Sequence, residues 1–157
     1  MEALLSAGAT APDCELEDLA GTRVRLSALT AERPALLCVF KASCPTCQLT
    51  LPFLDRIGRG EKLRVVPVSQ DEPDVTRAFL ARFGITVPAL LDRAGDGYAM
   101  SNAFGVAYVP SLFLVEPDGR VSFSSEGFSR RALLFLGERA GIAPFREGES
   151  VPEAKAG

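Results

Sequence analysis

The sequence predicts an α/β domain, a central mixed sheet flanked by helices. Three observations carry the prediction. Residues 36–40 (Leu-Leu-Cys-Val-Phe) and 63–68 are apolar at nearly every position, as in parallel strands covered on both faces. Segments with apolar residues at helical spacing alternate with these runs. Near the end, two short apolar runs are joined by Pro117-Asp118-Gly119-Arg120, where Pro and Gly match turn backbone, so the sheet ends in an antiparallel hairpin.

Each element follows from local chemistry. Residues 14–17 and 22–26 alternate in polarity, and 18–21 supplies the turn, so residues 1–30 read as an N-terminal β-hairpin extension. After the strand at 36–40, Ser43-Cys44-Pro45-Thr46-Cys47 opens a helix towards Ile57, with Gly58 and Gly60 as stops. Pro67 removes one ladder donor near the end of the next strand. Asp71 is the expected N-cap of a helix with Pro73 in its first turn, Val75, Phe79 and Phe83 on its buried face, and Gly84 at its end. Residues 87–91 read as extended, and 96–104 as a short helix closed by Gly105. Strands at 112–115 and 121–124 form the hairpin. Ser129 caps a last helix with Leu133, Leu136 and Ala140 on one face. Residues 1–143 thus form one domain, and the small, polar, aperiodic stretch 144–157 is expected to be a mobile tail.

Composition narrows the chemistry. The chain has 157 residues, 47% of them hydrophobic and 24% charged, which is globular rather than disordered. A net charge of −3 does not suit a protein that grips phosphate backbones, so no nucleic-acid partner is expected. Histidine is absent, which removes Ser-His-Asp and Cys-His nucleophile systems and histidine-ligated metals. No apolar run approaches the roughly 18 residues of a membrane span. The first residues lack a basic, then apolar, leader pattern, so a cytoplasmic location is expected, or a periplasmic one if a leader has been removed.

Four cysteines remain, at 14, 38, 44 and 47. Only Cys44 and Cys47 stand at ligand spacing, which disfavours a four-cysteine zinc site, and no metal or other cofactor is expected. Placement makes the pair informative. Two residues three apart in a first helical turn have Cα atoms about 5–6 Å apart, within disulfide range. The first lies at the helix start, where unpaired amides and the positive end of the dipole favour a thiolate. Pro45 fits, since a first-turn amide has no intrahelical partner. Cys44 is therefore the expected attacking nucleophile, and Cys47, one turn inside, the thiol that resolves the mixed disulfide. The bland alternatives are two inert thiols or half a metal site.

The stretch Phe40-Lys41-Ala42-Ser43-Cys44-Pro45-Thr46-Cys47-Gln48-Leu49-Thr50-Leu51-Pro52 resembles the active-site segment of thioredoxin-fold proteins, most closely the TlpA/ResA-like and redoxin (AhpC/TSA) group. Residues 8–29 resemble that group's amino-terminal hairpin. Val109-Pro110-Ser111 stands where the family carries a cis-proline facing the disulfide, and Pro117-Asp118-Gly119-Arg120 matches its following turn. The likeness covers about residues 8–140. It implies a thioredoxin-like fold and a thiol–disulfide oxidoreductase. It also implies a cis Val109–Pro110 bond, with Val109 and Pro110 binding an extended segment of a protein client. An electron donor or acceptor protein is the second partner expected. The sequence also departs from the pattern. Cys38 stands where thioredoxin has a buried aspartate, Thr50 where the TlpA/ResA group often has glutamate, and Ser43 where an aromatic is usual.

Cys38 is expected to be a small buried hydrophobe and Cys14 a packing residue, each with a lesser reading as an extra resolving thiol. Lys41 reads as solvated, or as a charge near the Cys44 thiolate. Two rival functions use the same cysteines. A peroxiredoxin-like thiol peroxidase would take Cys47 or Cys44 as its peroxidatic residue, but Phe40 and Cys44 would then replace the proline and threonine of that pocket, and its arginine would fall near Pro110. A non-enzymatic Cu(I) or electron carrier would use the two soft thiolates.

Overall fold

The computed structural model describes residues 3–157. A hairpin of β1 (Glu15–Asp18) and β2 (Arg23–Arg25) leads through the one-turn α1 (Leu26–Leu29) to β3 (Ala35–Phe40). Then come α2 (Pro45–Ile57), β4 (Arg64–Ser69), α3 (Pro73–Arg82), β5 (Leu90–Leu91), α4 (Ala99–Ala103), β6 (Ser111–Val115), β7 (Val121–Glu126), β8 (Phe128–Ser129), α5 (Arg130–Ala140) and β9 (Ala154–Lys155). Seven strands form one sheet in the order β2-β1-β5-β4-β3-β6-β7. The β3, β4 and β5 strands run parallel, whereas β6, β7, β1 and β2 pair antiparallel, so the sheet is mixed. The N-terminal hairpin extends it through β1 against β5.

Every residue of β3 is buried, as its unbroken apolar run requires. Its side chains divide by alternation. Leu36, Cys38 and Phe40 enter the core beneath α2, α3 and α5, and Ala35, Leu37 and Val39 enter a second core with Met100 and Phe104 of the α4 region. Pro67 pairs opposite Cys38, and β5 reaches only Val68 and Ser69, so the missing amide costs the sheet little. Ser129 caps α5 as expected, its hydroxyl accepting from the Ala132 amide at 3.1 Å.

Three expectations change away from the Cys44 loop. Val75 is exposed on α3, because the buried stripe is centred on Thr76 and Phe79; Thr76 bonds Ser69 instead of facing solvent. The helix expected over 96–104 is broken, with left-handed backbone at Gly97 (φ 67°) and Tyr98 (φ 50°). Helix α4 starts only at Ala99, where the fully buried Asp92 carboxylate accepts from the amides of Met100 (3.2 Å) and Ser101 (2.7 Å). That carboxylate lies seven residues before the helix, outside any local capping pattern. Finally, 144–157, expected to be mobile, is laid against the domain. Phe145 meets Phe53 edge-on at 5.0 Å, Glu149 grips Arg56 with both oxygens (2.8 and 2.7 Å), and β9 pairs with β8. All of these partners are distant in sequence, so local periodicity carries no sign of them.

Candidate active site

Strand β3 delivers the chain to the site. At its end, residues 41–43 turn into α2, and two side chains hold that turn. Asp71 accepts the Ala42 amide at 2.7 Å, and Gln48 donates its amide nitrogen to the Ala42 carbonyl at 2.9 Å. Asp71 was expected to cap α3; the cap position is Glu72, whose side chain makes no capping bond, and Asp71 positions the loop before Cys44 instead.

Cys44 is the N-cap of α2, in extended backbone, with Pro45 in the first turn. Its sulfur accepts the Cys47 amide at 3.3 Å, satisfying a helix-terminal donor that would otherwise lack a partner. Its thiol faces the Val109 carbonyl at 3.5 Å. The Val109–Pro110 bond is cis, as the resemblance implied, and it brings that carbonyl beside the first sulfur. All four cysteines are free thiols. Cys44 is partly exposed, whereas Cys47 and Cys38 have no exposed surface.

Burial pushes the Cys47 thiol well above its ordinary value of 9.0; the Cys44 and Cys38 sulfurs add to this, and the backbone of Lys41 opposes it. The Lys41 side chain itself is exposed. Burial pushes Cys38 up as well, with the nearby Cys44 sulfur a smaller cause. Cys38 shares a core with Cys47 and Leu112, a small apolar filler as expected. The Thr50 hydroxyl is buried and donates to the Thr46 carbonyl at 2.7 Å, so it presents no acid to Cys47. Cys14 is half-buried against the second core, away from the pair.

These shifts fix a sign. A thiol held protonated by the fold lets the unfolded chain release its proton first as pH rises. The stabilisation is complete below about 9.0 and is lost above it, by about 1.4 kcal/mol per pH unit for each such thiol. Urea unfolding of the reduced protein between pH 8 and 10.5 is expected to show this fall. In Cys38→Ala the slope is expected to be shallower by one thiol's share; parallel slopes would refute the assignment to Cys38.

Sequence reasoning brought Cys44, Cys47, Val109 and Pro110 to notice, and the structure gathers them in one place. It missed Asp71 and Gln48, which hold the loop, and the buried Asp55 farther along α2. Only a carboxylate shortly after a strand end hinted at Asp71. Among the described residues no group of three or more histidine, cysteine, aspartate or glutamate side chains is gathered for a metal ion, and no helix is long and apolar enough to cross a membrane.

Comparison with known proteins agrees with this geometry. The sequence matches the AhpC/TSA family over residues 7–124, from the N-terminal hairpin through most of β7. The chain belongs to that family. Among curated relatives, the methylamine utilization protein MauD of Methylorubrum extorquens is 30% identical over 143 residues, spanning 89% of this chain and 68% of MauD. The thiol-disulfide oxidoreductase ResA of Geobacillus thermodenitrificans is 30% identical over 121 residues, 74% of this chain and 67% of ResA. Of solved structures, the thioredoxin domain of a thiol-disulfide oxidoreductase from Bacteroides vulgatus superposes with a TM-score of 0.74 at 18% identity, covering 88% of this chain and 99% of that one. Peroxidoxin BcpB of Mycobacterium tuberculosis superposes with a TM-score of 0.71 at 24% identity, covering 88% and 99%. This AhpC/TSA member has a thioredoxin-like fold.

Proposed function

We propose that the chain is a thiol–disulfide oxidoreductase that exchanges two electrons with protein dithiols and disulfides through a reversible Cys44–Cys47 bond. One observation carries the reading: the outer sulfur caps a 13-residue helix within reach of the surface, and its partner is buried one turn behind it. The curated name of the ResA relative supports the same chemistry.

In the reducing direction, the Cys44 thiolate attacks one sulfur of a client disulfide. A Cys44–client S–S bond forms, the client's own S–S bond breaks, and the departing thiolate takes a proton. Cys47 then gives up its proton and attacks the Cys44 sulfur. The internal disulfide forms, the second client thiolate leaves and is protonated, and two electrons have passed to the client. Oxidation of a client dithiol is the reverse. The mixed disulfide relieves Cys47, because the neighbouring sulfur that opposed its ionisation is then bonded and neutral. Val109, whose carbonyl faces the Cys44 thiol, and Pro110 after it are the proposed seat of the client backbone, and a second protein restores the pair's redox state.

The test is reduction of insulin disulfides with dithiothreitol as electron source, set beside peroxide consumption by the same protein. Catalysed insulin reduction is expected, with peroxide loss near background. Fast peroxide turnover surviving Cys44→Ser would overturn the reading and make Cys47 a peroxidatic residue. A second outcome follows from burial: in the reduced protein at neutral pH, iodoacetamide is expected to modify Cys44 well before Cys47. Equal rates would contradict the division of roles.

A further inference from the structure

Residues 144–157 end on the candidate active site. The first part is firmly attached: the Pro144 carbonyl and both Glu149 oxygens bind the Arg56 guanidinium, and Phe145 packs on Phe53. The chain then runs beside β8, the Glu153 carbonyl accepting from the Arg130 amide at 2.9 Å and Lys155 pairing opposite Phe128. Beyond that it crosses the C-P-T-C turn. The Thr46 hydroxyl donates to the Ala156 carbonyl at 2.7 Å. Gly157 lies so close to the Val109 carbonyl that a Cβ on it would overlap the oxygen. That oxygen is the one facing the Cys44 thiol. Thr46, between the two cysteines, is accordingly only 3% exposed.

A protein disulfide that meets Cys44 must lay its flanking backbone over this floor. Thr46 and Val109, which border the sulfur, are already engaged by residues 156 and 157 of the same chain. We propose that residues 151–157 are an internal strap that occupies the client's seat and must be displaced by an incoming extended segment of a disulfide-bearing protein; this rests on the thiol–disulfide reading above.

The attachment is built for such exchange. Past Glu149 the strap is held by the half-buried Val151 at the edge of the core, by the Arg130 amide on the Glu153 carbonyl, by a pairing of two residues per strand, by an exposed Arg130–Glu153 ion pair at 3.4 Å and by the contacts at the site. Strand pairs this short are marginal in water, and exposed ion pairs add little, so the strap belongs to the part of the fold that opens most readily. Its fit requires bare backbone at two points. Gly127, at φ 73°, would put a Cβ 2.6 Å from the Lys155 carbonyl, and Gly157 would meet Val109.

A seat free for only part of the time raises the apparent KM by the inverse of the open fraction. The test compares three proteins: the full chain, a chain ending at Ser150, and Gly157→Val, which keeps every anchor but cannot lie against Val109. Insulin reduction and reduction of a small disulfide, hydroxyethyl disulfide, are measured for each. Both variants are expected to lower the KM for insulin by about 3- to 10-fold with kcat unchanged, as an open fraction of a tenth to a third dictates, and to leave the small disulfide unaffected. A synthetic peptide of residues 151–157 is expected to restore the higher KM to the shortened chain. An unchanged or higher KM in Gly157→Val, with the fold intact by circular dichroism, would overturn the proposal. Failure of all three proteins to reduce any disulfide would instead strike the exchange reading. The strap is then judged by modification of Cys44 with a bulky maleimide, expected to quicken about 3- to 10-fold in Gly157→Val and required to stay unchanged if the proposal is wrong.

Discussion

Cys44→Ser is expected to lower insulin reduction by about a thousandfold or more, to the uncatalysed level, since removing a nucleophile removes the covalent path itself. Cys47→Ser is expected to fail differently. Its Cys44 sulfur still forms the mixed disulfide, but no thiol stands behind it to displace the client, so the covalent complex accumulates. The structure dictates the asymmetry: Cys44 is the sulfur with a route to solvent, and Cys47 is wholly buried with its thiol held protonated. Non-reducing electrophoresis after mixing each variant with a disulfide client reads the outcome. A trapped complex with Cys44→Ser, or none with Cys47→Ser, would reverse the roles.

Asp55→Ala is expected to destabilise the domain by about 3 kcal/mol, the scale for losing two hydrogen bonds to a charged acceptor. Asp55 is 2% exposed, on the inner face of α2. One of its oxygens accepts the amides of Thr86 (2.7 Å) and Val87 (3.0 Å), and the Thr86 hydroxyl also bonds the carboxylate. This ties α2 to the chain entering β5. At about 2–4 °C per kcal/mol for a chain of this size, the melting temperature should fall by about 6–12 °C. Asp55→Asn keeps one acceptor oxygen and is expected to lose less. Insulin reduction well below the melting point should persist in both, because Asp55 touches neither sulfur. A thermal shift within 2 °C for Asp55→Ala would contradict the account.

The legible parts of the sequence were those whose cause is local. The apolar run through β3 announced a strand buried on both faces, and Cys44-Pro45-Thr46-Cys47 after it announced sulfurs at a helix start. Ser129 capped its helix as read, and the cis Val109–Pro110 bond came from resemblance and was found. What escaped depends on residues far apart in the chain. Asp71 has the form of a cap, yet its partner is the Ala42 amide, 29 positions earlier. Spacing alone put Val75 inside, but the sheet's position turned α3 towards Thr76. The stretch after Pro144 has no period because its partners lie elsewhere: Phe53, Arg56, Phe128 and Thr46. A short two-residue strand with an ion pair leaves no pattern in sequence.

The most direct measurement is mapping of the bond that forms on mild oxidation. The reduced protein is treated with oxidised dithiothreitol, alkylated, and cleaved with trypsin, which separates Cys38 from residues 42–56 at Lys41. The account predicts one intramolecular bond, found as a fragment 42–56 that takes up no alkylating agent and is about two mass units lighter than its reduced form. Cys44 joined instead to Cys38, to Cys14 or to a second molecule, with Cys47 still alkylated after denaturation, would contradict it.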